Sequence, residues 1–256
     1  MRIAITRGVS PNINQCELSH LPRQQIDVAL AAAQHQQYES ALREAGATVI
    51  SLPSEPDLPD SMFVEDPAVV VDEVAVLTHM GAGSRRRESE CLAATLARYR
   101  PLVWMRAPAT LEGGDVQRVG STLFVGASQR TNEAGMHQLA EELRPFGYTV
   151  KPVDVFGCLH LKSGACAVGP KTILANRDWV DTAAFEGFEI LDVPPEEPRA
   201  ANVLIIGETA LLPACFPATA RLLESRGLKV KPLDISELMK AEAGVTCSTI
   251  LLETDE

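Results

Sequence analysis

A pattern that recurs along the chain is clearest in Leu111-Glu-Gly-Gly-Asp-Val-Gln-Arg-Val-Gly-Ser-Thr-Leu-Phe-Val125. Here Glu112 leads into a β-rich run, Asp115–Val119. The turn residues Gly120-Ser121 then separate this run from a second one, Thr122–Val125. Two β-rich runs separated by turn residues are typical of a β-hairpin. The segment therefore predicts a hairpin that is introduced by a polar residue.

The same order of a polar residue, a β-rich run, a turn and a second run recurs at regular spacing. The polar markers of the five copies are Glu65, Glu112, His160, Asn202 and Cys247. Successive markers are 47, 48, 42 and 45 residues apart, a regularity that unrelated loops are not expected to show. In most copies a helix follows, such as Asn132–Leu143 with its apolar residues on one face, and a returning strand ends the unit. Each unit is therefore predicted to be strand, strand, helix, strand.

The fifth copy has only the strand Ile250–Leu252 after its marker, and residues near the N-terminus supply the missing parts. Met1–Ile5 and Thr48–Leu52 are predicted strands, and Gln25–Ala45 is a predicted amphipathic helix. Joining the two ends in one module closes a five-bladed ring without a long open sheet edge. We therefore predict an α/β fold, a five-bladed α/β propeller of ββαβ modules. Residues 1–256 are expected to form a single catalytic domain whose markers face one central site.

A doubly wound α/β sheet also alternates strands and helices and is the alternative fold. It does not explain a polar marker that recurs every 42 to 48 residues. Nor does the sequence contain a nucleotide-binding motif, since Gly81-Ala-Gly-Ser-Arg-Arg86 lacks the third glycine of GxGxxG and no P-loop lysine motif occurs. The repeated module is therefore the preferred interpretation.

Composition restricts the classes of partner. The 256 residues are 46% hydrophobic and 22% charged, which is typical of a globular domain with an ample core. A net charge of −11 argues against nucleic acid and favours small or cationic ligands. No signal peptide and no apolar run of ~18 residues is present, which indicates no membrane segment and a cytoplasmic location. The six cysteines show no CxxC spacing, so reduced thiols are expected and a zinc site is not.

The markers carry chemically useful side chains. If the ring is correct, a thiol (Cys247), an imidazole (His160) and carboxylates (Glu65, Asp66 and Glu112) converge. Such a set provides a nucleophile, a proton-transfer group and a wall that binds cations. Each residue also has a structural interpretation: a small buried cysteine, a core histidine, solvated turn carboxylates, or glycines after Glu112 that supply unusual φ. These residues occupy equivalent positions in successive repeats, which favours the functional interpretation.

These features together resemble the pentein superfamily of guanidine-modifying enzymes, and most closely its dimethylarginine dimethylaminohydrolase family. The resemblance covers essentially the whole chain. It is carried by six ordered segments, Pro59–Asp66, Ser84–Arg86, Glu112–Asp115, Arg130–Asn132, Leu159–Ser163 and Gly244–Cys247. Deiminases of the superfamily have His-x-Asp, whereas this chain has His160-Leu-Lys162. Without that carboxylate, an unsubstituted guanidinium N–H of the substrate has one hydrogen-bond partner fewer. The absence of the carboxylate is compatible with a pocket for N-methyl groups, which cannot donate hydrogen bonds.

The resemblance implies hydrolysis of dimethylarginine to citrulline and dimethylamine, and of monomethylarginine with release of methylamine. Cys247 is the implied nucleophile, which forms a covalent thiouronium intermediate. His160 protonates the leaving amine and then activates water, and Glu112 orients His160.

The resemblance also implies a substrate-binding set. Its members are Glu65 and Asp66 for the guanidinium, Arg85 and Arg130 for the carboxylate, Asp60 for the α-amine, and the main chain at Cys16 and Ala241. Arg85 lies in the run Arg85-Arg-Arg87 and is alternatively a solvated surface residue. Neither a metal nor an organic cofactor is implied, and a homodimer is expected only by analogy.

Two other functions stay open at this point. A deiminase that acts on arginine or a shorter guanidine would share the nucleophile, and only its substrate would differ. A non-catalytic guanidine-binding protein could use the same ring. The joint presence of Cys247, His160 and Glu112 favours an enzyme over a binding protein.

Overall fold

The computed structural model describes residues 1–254, within which the strands form five three-stranded sheets. The strands are β1 (Arg2–Arg7), β2 (Thr48–Leu52), β3 (Ala68–Val70), β4 (Ala75–Leu77), β5 (Leu102–Trp104), β6 (Val116–Val119), β7 (Thr122–Ala127), β8 (Thr149–Asp154), β9 (Ala165–Gly169), β10 (Thr172–Ala175), β11 (Glu189–Asp192), β12 (Leu204–Ile206), β13 (Thr209–Pro213), β14 (Lys229–Leu233) and β15 (Ile250–Glu253). The α-helices of this range are α1 (Val28–Glu44), α2 (Glu88–Leu96), α3 (Glu133–Leu143), α4 (Leu161–Gly164), α5 (Pro217–Ser225) and α6 (Ser236–Met239).

All five sheets have the same mixed topology. Their strand orders are β3-β4-β5, β6-β7-β8, β9-β10-β11, β12-β13-β14 and β15-β1-β2. In each sheet the first strand is antiparallel to the central strand, and the central strand is parallel to the third. A parallel pair needs a crossover connection, which a helix supplies in four sheets. Between β10 and β11 the crossover contains only a 3₁₀ turn, Thr182–Phe185. The predicted ββαβ module is therefore confirmed.

The ends of the described chain share the fifth sheet, as predicted. Ile3 of β1 pairs with Leu252 of β15 on one side and with Thr48 of β2 on the other. Each polar marker also lies just before the first strand of its sheet. The markers and strands are Glu65 with β3, Glu112 with β6, His160 with β9, Asn202 with β12 and Cys247 with β15.

Several predicted boundaries differ from the structure by a few residues, and two of the differences have clear local causes. The first helix was expected from Gln25, but α1 begins at Val28 because Asp27 caps it by accepting a hydrogen bond from the N–H of Leu30. The strand β6 begins one residue later than expected because Gly113–Asp115 forms a 3₁₀ turn. Side-chain capping and a tight turn therefore override the apolar pattern at these two ends.

The chain forms two compact units. The split unit contains Met1–Val64 together with the chain from Val193 onward, and the inserted unit is Glu65–Asp192. In the split unit, Tyr38 and Leu42 of α1 share an apolar core with Leu211 and Leu233. Full burial of each such aliphatic side chain contributes roughly 1.5–3 kcal/mol to stability.

The inserted unit has apolar clusters of its own. Leu139 and Leu143, on the predicted apolar face of α3, pack with residues of β7 that include Leu123. A second cluster centres on Phe124, whose ring meets that of Phe185 edge to face at 4.8 Å between centroids. Both clusters support the loops that precede β6 and β9.

Two further sequence predictions concern thiols and membranes. All six cysteines lie within residues 1–254 and are free thiols, as predicted. Among the helices of this range, none combines the length and the hydropathy that a membrane crossing requires.

Candidate active site

Glu112 and His160 form the central pair of the inserted unit. The Nε2 atom of His160 lies 2.8 Å from Oε2 of Glu112, and both side chains are buried. Burial alone would lower the pKa of His160, but the charges of Asp66 and Asp115 and the contact with Glu112 raise it to about 9. Burial alone would raise the pKa of Glu112, but His160 and the nearby charge of Arg85 hold it at about 2. The pair is therefore an imidazolium and a carboxylate at neutral pH.

Asp66 lies at the other nitrogen of the same ring. Its Oδ1 atom is 3.8 Å from Nδ1 of His160 and accepts a hydrogen bond from the N–H of Gly114 at 3.2 Å. Its Oδ2 atom accepts a bond from Nη1 of Arg85 at 2.8 Å. The imidazole is thus placed between two carboxylates, and the segment that contains Glu112 also holds Asp66.

The glycines of Glu112-Gly-Gly-Asp115 are required by close approach. Neither Gly113 nor Gly114 has a positive φ, so the interpretation that they only supply unusual φ is wrong. A Cβ atom at Gly114 would lie 2.7 Å from both Oδ1 of Asp66 and Nδ1 of His160. A Cβ atom at Gly113 would overlap the carbonyl oxygen of Glu65. Gly114 therefore allows the backbone to pass directly against the acid–histidine cluster, defined as Asp66, Glu112 and His160, and Gly113 allows it to pass against the backbone at Glu65.

Gly114→Ala is expected to lower kcat for the hydrolysis that the family resemblance implies by about 10²-fold. A shift of about 1 Å in a catalytic group reduces the rate by that much. The added methyl group must displace either the His160 ring or the Asp66 carboxylate. The matched control is Gly169→Ala, where the nearest atom to an added Cβ is at an ordinary 3.6 Å. Steady-state kinetics of both variants, with circular dichroism to verify folding, tests this. Wild-type kcat in Gly114→Ala would contradict the close approach.

Arg85 is buried rather than solvated, so the alternative that it is a surface member of its arginine run is wrong. Its Nε and Nη2 atoms donate to the carboxylate of Glu88 at 3.0 and 2.8 Å. Its Nη1 atom donates to Asp66. Burial opposes its charge, but Glu88 and Asp66 outweigh burial and raise the pKa of Arg85. Sequence reasoning missed Glu88, although a carboxylate three residues after an arginine is a usable signal on a helix.

Arg130 and Lys162 neutralise two further carboxylates. Nη1 of Arg130 lies 3.3 Å from Oε1 of Glu112. Nζ of Lys162 donates to Oε1 of Glu65 at 2.8 Å and to the carbonyl oxygen of Gly113 at 3.2 Å. Burial opposes the charge of Lys162, but the charge of Glu65 raises its pKa. Both Glu65 and Asp66, which were predicted to bind a guanidinium, therefore already hold a cationic side chain of the protein.

Asp115 is a further residue that the sequence did not single out for a role. It is fully buried, and burial raises its pKa. Its Oδ1 atom accepts the N–H of Leu161, the residue after His160, at 2.9 Å. Its Oδ2 atom accepts the hydroxyl of Thr131 at 2.7 Å, and that hydroxyl in turn accepts the N–H of Glu112. Asp115 therefore holds the backbone next to His160 directly, through Leu161. It holds the backbone N–H of Glu112 indirectly, through the hydroxyl of Thr131.

The split unit contains Cys247, in the turn before β15. Its Sγ atom accepts a hydrogen bond from the N–H of Gly244 at 3.3 Å. Tyr38 of α1 donates its buried hydroxyl to the carbonyl oxygen of Val245 at 2.7 Å. Helix α1 therefore holds the turn that carries the thiol.

Asp60, Cys16 and Ala241 also lie in the split unit. The carboxylate of Asp60 accepts the N–H of Glu17 at 3.1 Å, so it holds the loop that precedes α1. Cys16 is buried, and burial followed by the charge of Asp60 raises the pKa of its thiol. The carbonyl oxygen of Cys16 accepts a bond from Nη2 of Arg23 at 2.6 Å. Ala241 is buried at the end of α6.

Glu242 anchors the same loop. Its Oε1 atom accepts the backbone N–H groups of Ser19, His20 and Leu21 at 3.0, 2.6 and 2.6 Å. It is also the one non-glycine residue of the described range with a positive φ, 61°. A non-glycine residue in this conformation is held there by its surroundings. The loop is thus tied to the residue after Ala241.

Glu242→Gly is expected to speed the hydrogen exchange of the Ser19, His20 and Leu21 amides by roughly 10- to 100-fold, because hydrogen bonds to a charged group contribute about 1.5–3 kcal/mol. Glycine adopts the same φ without strain, so the variant isolates the loss of the carboxylate. Glu208→Ala, at an exposed carboxylate paired with Lys229, is the control. Unchanged exchange in Glu242→Gly would contradict the anchor.

The acid–histidine cluster also has the donors for a metal ion. One ligand atom from each of Asp66, Glu112 and His160 lies within 4.8 Å of the others. However, Arg85 and Arg130 already neutralise the carboxylates at 2.8 and 3.3 Å, and an added divalent cation would be repelled by both. The arrangement suits proton transfer beside a carboxylate wall better than metal binding.

Comparison with known proteins gives consistent matches. A family model described as "N,N dimethylarginine dimethylhydrolase, eukaryotic" matches residues 9–208. An N(G),N(G)-dimethylarginine dimethylaminohydrolase of Pseudomonas aeruginosa is 35% identical over 234 residues, which is 91% of each chain. A protein of the same name from Streptomyces coelicolor is 37% identical over 250 residues, 97% of this chain and 96% of the relative.

Solved structures agree with these matches. A mutant of the Pseudomonas aeruginosa protein complexed with citrulline superposes with a TM-score of 0.93 at 32% identity, over 97% of this chain and 98% of the other. The N-terminal domain of an arginine dihydrolase from cyanobacteria gives a TM-score of 0.85 at 15% identity, over 98% of each chain, and this likeness concerns the fold alone. The predicted fold class is therefore confirmed.

Proposed function

The chain is a hydrolase that belongs to the dimethylarginine dimethylaminohydrolase family, and on this premise we propose that it cleaves N-omega,N-omega-dimethylarginine to citrulline and dimethylamine. The observation that carries the proposal is the buried Glu112–His160 pair, with Asp66 at the second ring nitrogen. It provides a charged imidazole that can protonate a leaving amine. Monomethylarginine is the proposed second substrate, with release of methylamine.

The proposed reaction has two steps. The Cys247 thiol loses its proton to solvent, and its sulfur attacks the central guanidinium carbon. The C–N bond to dimethylamine then breaks as His160 protonates the departing nitrogen. A covalent thiouronium intermediate remains on the thiol. His160, now neutral, takes a proton from water, whose oxygen attacks the same carbon. The C–S bond then breaks, which releases citrulline and restores the thiol. Glu112 stabilises the imidazolium form, which is the role of the acid in any nucleophile–base–orienter set.

The proposed substrate contacts follow the charges of the substrate. We propose that the guanidinium is bound by Glu65 and Asp66, and the α-carboxylate by Arg85 and Arg130. The α-amine is bound by Asp60, and the amino-acid end also contacts the main chain at Cys16 and Ala241. We propose that residues 1–256 act as one catalytic domain. The homodimer implied by the resemblance stays a prediction, which sedimentation velocity checks.

Lys162 supports the preference for a methylated guanidine. It occupies the position at which deiminases have a carboxylate, and it pairs with Glu65 at 2.8 Å. The position therefore offers no acceptor for a free guanidinium N–H, whereas an N-methyl group needs none. A chain built to deiminate arginine is expected to supply an acceptor there.

Parallel assays of citrulline formation from asymmetric dimethylarginine, monomethylarginine and arginine test the proposal. Turnover of the two methylated substrates, with equimolar release of dimethylamine or methylamine, is the expected result. Turnover of arginine alone, with release of ammonia, would instead assign the chain to the deiminases. Binding of all three without turnover would support the non-catalytic alternative.

A further inference from the structure

Asn202 is the sequence marker to which the proposed chemistry gives no role. In the fourth module it occupies the position that Glu112, His160 and Cys247 occupy in theirs, just before the first strand of the sheet. Its side chain is buried, and buried amides are retained where their hydrogen bonds are satisfied. The partners of Asn202 therefore indicate what this position does.

The amide of Asn202 is paired with Thr246, the neighbour of Cys247. Its Oδ1 atom accepts the backbone N–H of Thr246 at 3.0 Å. Its Nδ2 atom donates to the hydroxyl of Thr246, also at 3.0 Å. One planar amide thus makes two bonds to one residue, which fixes both the position and the orientation of that residue.

The same amide packs against the start of the turn. A Cβ atom at Gly244 would overlap Oδ1 of Asn202, so the backbone at Gly244 lies directly on the amide. The N–H of Gly244 donates to Sγ of Cys247 at 3.3 Å. A backbone N–H favours the thiolate over the thiol, because it interacts more strongly with the charged form. Asn202 therefore contacts both the residue before Cys247 and the residue whose N–H contacts its sulfur.

We propose that Asn202 is a positioning residue for the nucleophile, which holds the turn 244–247 so that the N–H of Gly244 meets the sulfur of Cys247. The inference rests on the proposed function in that it takes Cys247 as the nucleophile. Asn202 acts through Thr246 and Gly244. Neither Thr246 nor Gly244 is among the predicted substrate-binding groups, so the loss of Asn202 should affect the chemical step more than substrate binding.

The test compares Asn202→Ala with a matched pair at its partner. Thr246→Val removes the hydroxyl at nearly constant volume, whereas Thr246→Ser keeps it. Two readouts are taken. The first is kcat and KM for asymmetric dimethylarginine. The second is the pH dependence of Cys247 alkylation by iodoacetamide, followed by mass spectrometry of its peptide, which requires no substrate.

Asn202→Ala and Thr246→Val are each expected to lower kcat about tenfold, to change KM less than twofold and to raise the alkylation midpoint by about one pH unit. Thr246→Ser should behave as wild type. The double variant Asn202→Ala/Thr246→Val should be no worse than Asn202→Ala alone, because the hydroxyl bond that Thr246→Val removes is one of the two bonds that Asn202→Ala already removes.

Two outcomes would overturn the proposal. One is that Thr246→Val retains wild-type kcat and alkylation. The other is that Asn202→Ala melts earlier while both readouts stay unchanged, which would leave only a structural role. If Asn202→Ala does not fold, the two Thr246 variants decide. If the wild type makes no citrulline, the proposed function fails, but the alkylation shift still tests the placement of the thiol.

Discussion

Replacing Cys247 with serine is expected to lower citrulline formation from asymmetric dimethylarginine by roughly 10⁴- to 10⁶-fold. A serine hydroxyl has a similar shape but is a far weaker nucleophile near neutral pH, so attack on the guanidinium carbon is lost. The predicted substrate-binding groups are unchanged in this variant. Isothermal titration should therefore still detect binding of dimethylarginine at near-wild-type affinity, while turnover is absent.

The control is Cys215→Ser, at an exposed thiol of the same split unit, which should keep wild-type turnover. Acid quenching of the wild type during turnover should leave a substrate-derived adduct on the Cys247 peptide alone. Retention of more than a tenth of wild-type kcat in Cys247→Ser would exclude Cys247 as the nucleophile.

Glu112→Gln is expected to lower kcat by roughly 10²- to 10³-fold and to move the alkaline limb of the pH–kcat profile to lower pH. The pKa of His160 is raised to about 9, with Glu112 among the causes, so the imidazolium persists at neutral pH. The glutamine removes that negative charge, while the cations Arg85 and Arg130 stay close by. The pKa of His160 should then fall, and the proton for the leaving amine is lost at a lower pH.

The same pair makes the folding stability depend on pH. The pKa of His160 is raised from 6.5 to about 9, so its contribution is complete below about 6.5 and is lost as the pH rises through about 9. The pKa of Glu112 is lowered from 4.5 to about 2, so its contribution is complete above about 4.5 and is lost as the pH falls through about 2. The Glu112–His160 contact contributes to both shifts, alongside Asp66 and Asp115 for His160 and Arg85 and Arg130 for Glu112. We therefore expect Glu112→Gln to lower the urea midpoint of unfolding most between about pH 4.5 and 6.5. The difference from wild type should be smaller at about pH 9.5.

A histidine–glutamate pair on the surface provides the control for Glu112→Gln. His137 and Glu141 lie 3.6 Å apart on α3, with 72% and 60% of their side chains exposed. Glu141→Gln should change neither kcat nor the pH profile, because solvent screens an exposed pair. If the alkaline limb of the pH–kcat profile is unchanged in Glu112→Gln, the group whose titration produces that limb is not His160.

The repeat was readable from the sequence because the module has a strong local signal. A polar residue followed by two β-rich runs and turn residues occurs four times, a fifth marker is followed by one run, and the structure has a sheet strand after each marker. Helix α2 lacks such a signal, since two of its four buried residues, Glu88 and Ser89, are polar. Sequence reasoning therefore named the helix in other modules but not there.

Part of the candidate site could be predicted from the sequence for a similar reason. Markers in phase with the repeat identified Glu112 and His160, and the structure brings them together at 2.8 Å. Asp115 and Glu242 were not identified, because their roles depend on partners that only the fold supplies. Glu242, for example, accepts backbone N–H groups from a loop more than 200 residues earlier in the chain. No local pattern marks such a contact.

The pairing of β1 with both β2 and β15 has a consequence for synthesis on the ribosome. Strands β1 and β2 emerge early and can pair at once, but the other edge of β1 is unpaired until β15 is made about 200 residues later. In the meantime the whole inserted unit emerges, with apolar clusters of its own. An open strand edge readily recruits other chains, so nascent β1 is a site for chaperone binding or for aggregation. Because the turn that carries Cys247 directly precedes β15, this turn is fixed on its β15 side only once β15 has paired with β1, after the inserted unit has been made.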